Sequence, residues 1–173
     1  MPVETLKAAL RDVPDFPQEG IVFKDITPIL SCPDLFKLAI DQMSLGLDNA
    51  GIDKIVGIDA RGFIFGAAMA SKIGCGFTPA RKAGKLPWET VKESYSLEYG
   101  EATLELHSDA VRKGERVVIV DDLLATGGTA SAAANLVNKL GGEIVNIQFF
   151  VDLSFLPGRE KLSGYPVKSL IVV

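Results

Sequence analysis

The feature that most constrains this chain is a run of four β-branched residues followed directly by two acids and a glycine-rich turn. Residues 117–120 read Val-Val-Ile-Val, a composition typical of a strand buried on both faces. Asp121 and Asp122 come next, and residues 123–129 then read Leu-Leu-Ala-Thr-Gly-Gly-Thr before a helical pattern begins. This sequence predicts a strand, turn and helix of an α/β protein, whose ligands bind at the carboxyl ends of parallel strands.

Strand and helix patterns alternate along most of the chain. Apolar spacing predicts strands at residues 54–58, 76–80, 116–121, 143–151 and, at the sheet edge, 167–173. It predicts helices at residues 5–11, 34–47, 62–73 and 129–140, the second capped by Asp34 and the last closed by Gly141. Residues 16–28 are predicted to be rich in turns around a brief apolar run at 21–23. The alternation predicts one α/β domain with a central, mostly parallel sheet flanked by helices.

One segment interrupts this alternation. Residues 82–94 are polar, contain Trp88 and have no clear period, whereas residues 95–106 alternate around Gly100 as a hairpin does. We interpret 82–106 as a flexible cover inserted in the domain. A surface insertion without function is the alternative that this pattern leaves open. His107 is expected to be exposed and inert.

The bulk composition excludes several classes of function. With a net charge of −4, the 173 residues suggest neither duplex nucleic acid nor an anionic membrane as a partner. No apolar run reaches the ~18 residues of a membrane-spanning helix. Two cysteines and one histidine make a zinc site improbable. The first residues lack the pattern of a secretory signal, so a cytoplasmic location is expected.

The turn after the acids has the chemistry of a phosphate site. Gly127 and Gly128 allow close approach of the backbone, and Thr126 and Thr129 add hydroxyl donors beside the positive end of a helix. No Gly-Lys-Ser/Thr ends the turn, which excludes the P-loop of nucleotide triphosphatases. A plain turn with two capping acids is the alternative, but it does not require all of these residue types together.

The adjacent acids, Asp121 and Asp122, suggest what accompanies the phosphate. Neighbouring carboxylates repel each other, so the pair requires cations or hydroxyl donors beside it. The two vicinal hydroxyls of a ribose 5-phosphate meet that requirement. The acids would also oppose positive charge that develops at the C1 carbon of the sugar.

These residues resemble the signature of the type I purine/pyrimidine phosphoribosyltransferases, which use 5-phosphoribosyl-1-pyrophosphate (PRPP). The resemblance spans nearly the whole chain, and the sequence is most similar to the adenine-specific members of the family. The resemblance is carried by residues 15–17, 20–26, 60–63, 81–82, 84–87, 95–100 and 158–162, in addition to the turn. The resemblance implies the phosphoribosyltransferase-type fold, with a small hood at residues 1–33 that binds adenine and a flexible catalytic hairpin at 82–106.

The resemblance also implies an activity, namely conversion of adenine and PRPP into AMP and pyrophosphate with Mg²⁺. The chain would act as a homodimer in which Arg81 reaches the pyrophosphate of the neighbouring subunit. The metal would be held mainly by PRPP, with Asp121 or Asp122 contributing through water. A cis peptide bond is implied at Asp59–Ala60.

Individual roles follow from the same resemblance. The 5-phosphate would lie on Ala125, Thr126, Gly127, Gly128 and Thr129, and the ribose hydroxyls on Asp121 and Asp122. Pyrophosphate would contact Ala60, Arg61, Gly62, Arg81 and Lys85. Adenine would pair with the backbone of Val22 and Lys24. Catalysis would depend on Glu98, Lys85, Tyr99 and Arg61, with Glu98 handling the proton of the purine.

Simpler interpretations stand beside these roles. Arg61 could pair with an acid, Glu98 could be a solvated strand residue, and Tyr99 could pack. Two residues depart from the family pattern. Lys24 stands where the family often has arginine, and Ala83 stands where it often has a basic residue. Two other functions remain open: transfer to another nucleobase, and sensing of PRPP without catalysis.

Overall fold

The chain divides into two compact units, Met1–Met43 and Ser44–Val173. The computed structural model describes residues 1–97 and 100–173. Its helices are α1 Pro2–Ala9, α2 Thr27–Leu30, α3 Pro33–Met43, α4 Gly62–Ile73, α5 Gly128–Leu140 and α6 Gly158–Lys161. Its strands are β1 Arg11–Pro14, β2 Val22–Asp25, β3 Lys54–Ile58, β4 Gly76–Lys82, β5 Thr90–Leu97, β6 Gly100–His107, β7 Arg116–Leu124, β8 Glu143–Asp152 and β9 Val167–Val172. The single domain expected from the sequence stays a prediction.

The first unit contains a two-stranded antiparallel sheet beside three helices. Strands β1 and β2 pair from Arg11 opposite Asp25 to Pro14 opposite Val22. The Asp25 carboxylate accepts hydrogen bonds from the backbone and hydroxyl of Thr27 at 2.9 Å, which lower the pKa of Asp25. The turns predicted in residues 16–28 are present at 17–20, whereas pairing with residues 11–14 makes a strand of residues 22–25, which the sequence pattern did not predict.

The second unit is built on a seven-stranded sheet with the order β5-β6-β4-β3-β7-β8-β9. Strands β4, β3, β7, β8 and β9 run parallel to one another, whereas β6 pairs with β4 and β5 pairs with β6 in the antiparallel sense. The expected α/β architecture with a mostly parallel central sheet is confirmed.

Strand β7 lies near the middle of this sheet, which explains its composition. Residues 117–120 are all fully buried, because β3 and β8 pair with both edges of β7 and other elements cover its faces. Helix α5 packs four small residues against the core: Ala130, Ala132, Ala133 and Ala134. The backbone of α5 can therefore lie close to the sheet, which places its first turn at the end of β7.

The predicted bounds agree with the structure wherever local pattern is sufficient. Strand β3 and helix α4 have the predicted bounds, and Gly141 ends α5 in the left-handed conformation (φ +84°). Other bounds were wrong. Helix α1 begins and ends earlier than predicted, and α3 begins at Pro33, so that Asp34 lies in its first turn and does not cap it. Strand β7 continues through both acids to Leu124.

The interrupting segment contains more regular structure than predicted. Strand β5 begins at Thr90, within the residues predicted to lack a period, and β6 extends the main sheet by pairing with β4. The apolar face of the hairpin, with Leu104 and Leu106, belongs to the core that includes α5. His107 is half-buried and meets the ring of Trp88 edge to face, so the prediction that it is exposed was wrong. Within the described residues, no helix has the length and apolarity needed to span a bilayer.

Candidate active site

The glycine turn forms a small cavity at the carboxyl end of β7. A space of about 80 Å³ is lined by Asp121, Phe149 and residues 123–130. Gly127 has φ +81° and immediately precedes α5, so the turn reverses the chain in a conformation that favours glycine. The amino end of α5, with its positive dipole and unpaired N–H groups, lies at this cavity.

The turn is supported from behind by the first residue of α6. A Cβ built on Gly127 would lie 2.6 Å from the carbonyl oxygen of Gly158, and one built on Gly158 would lie even closer to the carbonyl oxygen of Ala125. Both distances are too short for a side chain. The two glycines therefore allow the backbone of α6 to pack directly against the backbone of the turn.

Beside this space lies a larger cavity of about 450 Å³. It is lined by residues from four regions: Asp59, Ala60 and Arg61 after β3, Lys82 on β4, Tyr95, Leu97, Ala102 and Leu104 on the hairpin, and Asp121, Asp122, Leu123 and Thr129 around the turn. The two cavities share Asp121, Leu123 and Thr129. They therefore form one continuous site, in which the acids separate the turn from the residues that follow β3.

The two acids differ in their surroundings. The Asp122 carboxylate is buried and forms an ion pair with Nε of Arg61 at a distance of 2.7 Å. The carboxylate of Asp121 accepts a hydrogen bond from the Asp122 amide at 2.8 Å. Burial and the neighbouring charge of Asp122 raise the pKa of Asp121 well above its ordinary value. The pair therefore favours a bound group that brings hydroxyl donors or positive charge.

The acids are strand residues and cap no helix. Helix α5 has Gly127 at its N-cap position and no side-chain cap. A Cβ on Gly62 would lie 2.8 Å from the Val120 carbonyl oxygen and 2.9 Å from Oδ1 of Asp121, so α4 starts in close contact with the end of β7. This contact brings the residues that follow β3 to the acids.

Two further residues predicted for the pyrophosphate lie at this edge of the sheet. The peptide bond Asp59–Ala60 is cis, which confirms the bond implied by the resemblance. Arg81 donates from Nε to the Asp59 carboxylate at 3.1 Å and lies over the ring of Phe63. Arg81 thus has partners within this chain, and its predicted contact with a neighbouring subunit stays a prediction.

The remaining predicted residues lie elsewhere or beyond description. Lys85 is exposed, and among the described residues it is Lys82 that lines the larger cavity. Glu98 and Tyr99 lie outside the described residues. Val22 and Lys24 belong to the first unit, on β2, where Val22 is exposed and the ammonium of Lys24 pairs with Asp12 at 2.7 Å.

Sequence reasoning missed several residues that line the site: Lys82, Tyr95, Leu97, Ala102, Leu104 and Phe149. For the hairpin residues, the alternation around Gly100 was an available signal, since it places Tyr95 and Leu97 on one face. No local signal identifies Phe149, which enters the site because β8 pairs with β7 opposite Asp121. Among the described residues, no cluster of three metal-binding side chains occurs.

The arrangement defines a class of protein. A family model described as the phosphoribosyl transferase domain matches residues 32–169. Because this match spans most of the chain and agrees with the fold and with the acid pair and glycine turn, the chain belongs to the phosphoribosyltransferase family.

Relatives of this chain within that family include adenine phosphoribosyltransferases. Those of Thermotoga maritima and Acetivibrio thermocellus are 58% and 57% identical over 167 residues, which cover 96% of this chain and 96% and 98% of theirs. A crystal structure of the Thermoanaerobacter pseudethanolicus enzyme superposes with a TM-score of 0.95 at 51% identity, covering 99% of both chains. The Saccharomyces cerevisiae enzyme, complexed with adenine and an imino-altritol bisphosphate, has a TM-score of 0.94 at 46% identity and 98% coverage of both chains.

Proposed function

We propose that this chain transfers the phosphoribosyl group of PRPP to adenine, forming AMP and pyrophosphate in purine salvage. The observation that carries the proposal is the continuous site at the end of β7, where the glycine turn and the acid pair line adjoining cavities. The choice of adenine as the acceptor base is supported by relatives at 57–58% identity, which are adenine phosphoribosyltransferases.

The sugar phosphate has a defined place in this proposal. Its 5-phosphate accepts hydrogen bonds from the turn at Ala125, Thr126, Gly127, Gly128 and Thr129, at the positive end of α5. The 2- and 3-hydroxyls of ribose donate to Asp121 and Asp122, which relieves the repulsion between the two carboxylates. The shared lining of the two cavities supports this order of phosphate and ring.

The larger cavity then receives the pyrophosphate. Its lining includes Ala60, Arg61 and Lys82, and Gly62 follows at the amino end of α4. The bond between C1 and the pyrophosphate oxygen breaks as negative charge collects on the leaving group. The positive side chains of Arg61 and Lys82 stabilise that charge. The family resemblance assigns Arg81 and Lys85 here as well, and the exposed Lys85 would reach the pyrophosphate by movement of the loop between β4 and β5.

The donor set fits a magnesium ion that arrives with its substrate. Mg²⁺ prefers oxygen ligands and retains waters, and it commonly binds through phosphates and one or two carboxylates. The acid pair offers such carboxylates, whereas the described residues contain no three-residue cluster for a cage built by the protein alone. Asp121 or Asp122 would hold the ion through water, and the bound ion would neutralise charge on the departing pyrophosphate.

Adenine is the second reactant. Its N9 nitrogen forms a bond to C1 as the pyrophosphate leaves, and the N9 proton passes to a base. We assign this proton transfer to Glu98, with Tyr99 beside it, and recognition of the ring to the backbone of Val22 and Lys24. Backbone recognition does not depend on the side chain at position 24, so lysine is compatible with it.

A substrate panel tests the proposal. Release of pyrophosphate is measured with PRPP and adenine, hypoxanthine, guanine or xanthine at fixed Mg²⁺, and AMP is identified by chromatography. Of the four bases, we expect only adenine to be turned over. Turnover with an oxopurine would reassign the base, and tight binding of PRPP without turnover would identify a sensor. The homodimer is tested by sedimentation of the same sample, and the cytoplasmic location by fractionation of the source cells; both stay predictions.

A further inference from the structure

The proposed phosphate turn carries no positive side chain of its own. Residues 123–129 contain leucine, alanine, threonine and glycine only, and the cavity that they line also includes the acid Asp121. A phosphate monoester carries about −1.5 to −2 charges at neutral pH. Two carboxylates lie nearby, so a cation beside the turn would strengthen binding of the phosphate.

Helix α6 is the element that contacts the outer side of this turn. Its first residue, Gly158, approaches the carbonyl oxygen of Ala125 so closely that a Cβ has no room. This direct backbone packing places the backbone of α6 beside the turn.

An ion pair to a buried carboxylate holds α6 in this place. Nε of Arg159 donates to the Asp152 carboxylate at 2.6 Å, and its terminal nitrogen donates to the Ser169 hydroxyl at 3.0 Å. The same hydroxyl donates to Asp152 at 3.2 Å, and Asp152 is only 1% exposed. These bonds connect α6 to the end of β8 and to the middle of β9, and so restrain its short helical turn.

The last residue of α6 brings a cation to the amino end of α5. A Cβ built on Gly128 would lie 4.0 Å from Nζ of Lys161. Within residues 1–97 and 100–173, no carboxylate forms a salt bridge with this ammonium. Lys161 is exposed, so the charge is available to a group that enters from solvent.

We propose that Lys161 is a binding residue for the 5-phosphate and supplies the positive charge that the turn lacks. The inference deepens the proposed function and depends on it, because it requires the sugar phosphate to bind at the turn. Three observations carry it: the neutral turn, the anchored α6, and the ammonium next to Gly128. The lysine would donate to a phosphate oxygen while the turn donates through its backbone.

The test replaces Lys161 and measures ligands that do and do not carry a phosphate. Lys161→Met, Lys161→Arg and wild-type chains are titrated calorimetrically with AMP and with adenine, and steady-state kinetics are measured with PRPP as the varied substrate. We expect Lys161→Met to raise the Kd for AMP and the KM for PRPP about tenfold, the loss typical of one charge-assisted hydrogen bond. The Kd for adenine and kcat should stay within about twofold, and Lys161→Arg should recover most of the affinity.

Salt dependence and a matched lysine complete the test. Because the interaction is ionic, affinity for AMP should fall more steeply with ionic strength in wild type than in Lys161→Met. Lys168→Met removes another exposed lysine, on β9, and should bind AMP like wild type. Equal AMP affinity and equal salt dependence in Lys161→Met and wild type would overturn the inference. If both chains still turn over adenine in that case, the proposed function stands. A wild-type chain that neither binds AMP nor uses adenine would overturn both.

Discussion

The turn at the end of β7 and the β5–β6 hairpin line the same cavity, yet they are determined in different ways. The turn consists of neighbouring residues whose chemistry is visible in one short stretch of sequence. The hairpin obtains its position from distant partners, since Arg81 of β4 lies opposite Glu105 of β6 and Leu104 packs in the core. One wall of the site is therefore encoded locally, and the other depends on the assembly of the sheet.

The strongest test of this comparison asks whether the hairpin is a detachable cover or part of the folded core. Leu106→Ala removes a side chain that is 0% exposed, so we expect the free energy of unfolding of the whole chain to fall by about 3 kcal/mol. Leu97→Ala, in the same hairpin but 51% exposed, should change it by less than about 0.5 kcal/mol. Urea denaturation monitored by circular dichroism measures both. Equal stability of Leu106→Ala and wild type would show that the hairpin unfolds separately.

The second test concerns the local wall. Gly127→Ala places a methyl group against the Gly158 carbonyl at a positive φ, so the turn must move away from its position. We expect kcat/KM for PRPP to fall about a hundredfold, as a displacement of about 1 Å in a site can cause. Gly114→Ala is the matched control, because Gly114 has φ +84° but open space around its Cα.

The outcome of the control separates strain from displacement. Gly114→Ala should lower stability by about 1 kcal/mol and leave kcat/KM unchanged. If Gly127→Ala retains wild-type kcat/KM, the contact with α6 is not required for the phosphate turn.

The smallest expected effect is a pH-dependent gain in stability. The pKa of Asp121 is raised in the folded chain, so its carboxylate ionises more readily after unfolding. Its contribution to stability is therefore fully present below its ordinary pKa of 3.8 and is lost as pH rises through the folded value. Asp121→Asn removes this loss and keeps an oxygen for the Asp122 amide. We expect its unfolding free energy to exceed that of wild type at pH 8 and the excess to shrink as pH falls toward 4.

Urea titrations at several pH values measure this difference, with Asp48→Asn as the control for loss of one exposed carboxylate. The same variant should bind PRPP more weakly, because it loses an acceptor for the ribose hydroxyls. A stability difference between Asp121→Asn and wild type that does not vary with pH would exclude repulsion and burial as its origin.

How far the site could be predicted depends on the range of the interactions. The acids and the glycines were identified because strand, turn and helix follow each other within about a dozen residues. Arg61 was assigned through the family resemblance, and its pair with Asp122 follows only when β3 and β7 lie side by side. Lys82 was passed over in favour of Lys85, because within a segment without a period the sequence cannot tell which side chain turns inward.

Short-range patterns in the sequence are sufficient to predict the strand–turn–helix unit, the alternation that makes a mostly parallel sheet, and the acids and glycines at the end of β7. These features depend on backbone preference and side-chain period, which act between residues close in the chain. The tertiary structure alone decided that β6 pairs with β4, that α6 supports the turn, and that Lys161 lies beside Gly128. Such contacts join residues more than twenty positions apart and form only when packing of the core brings them together.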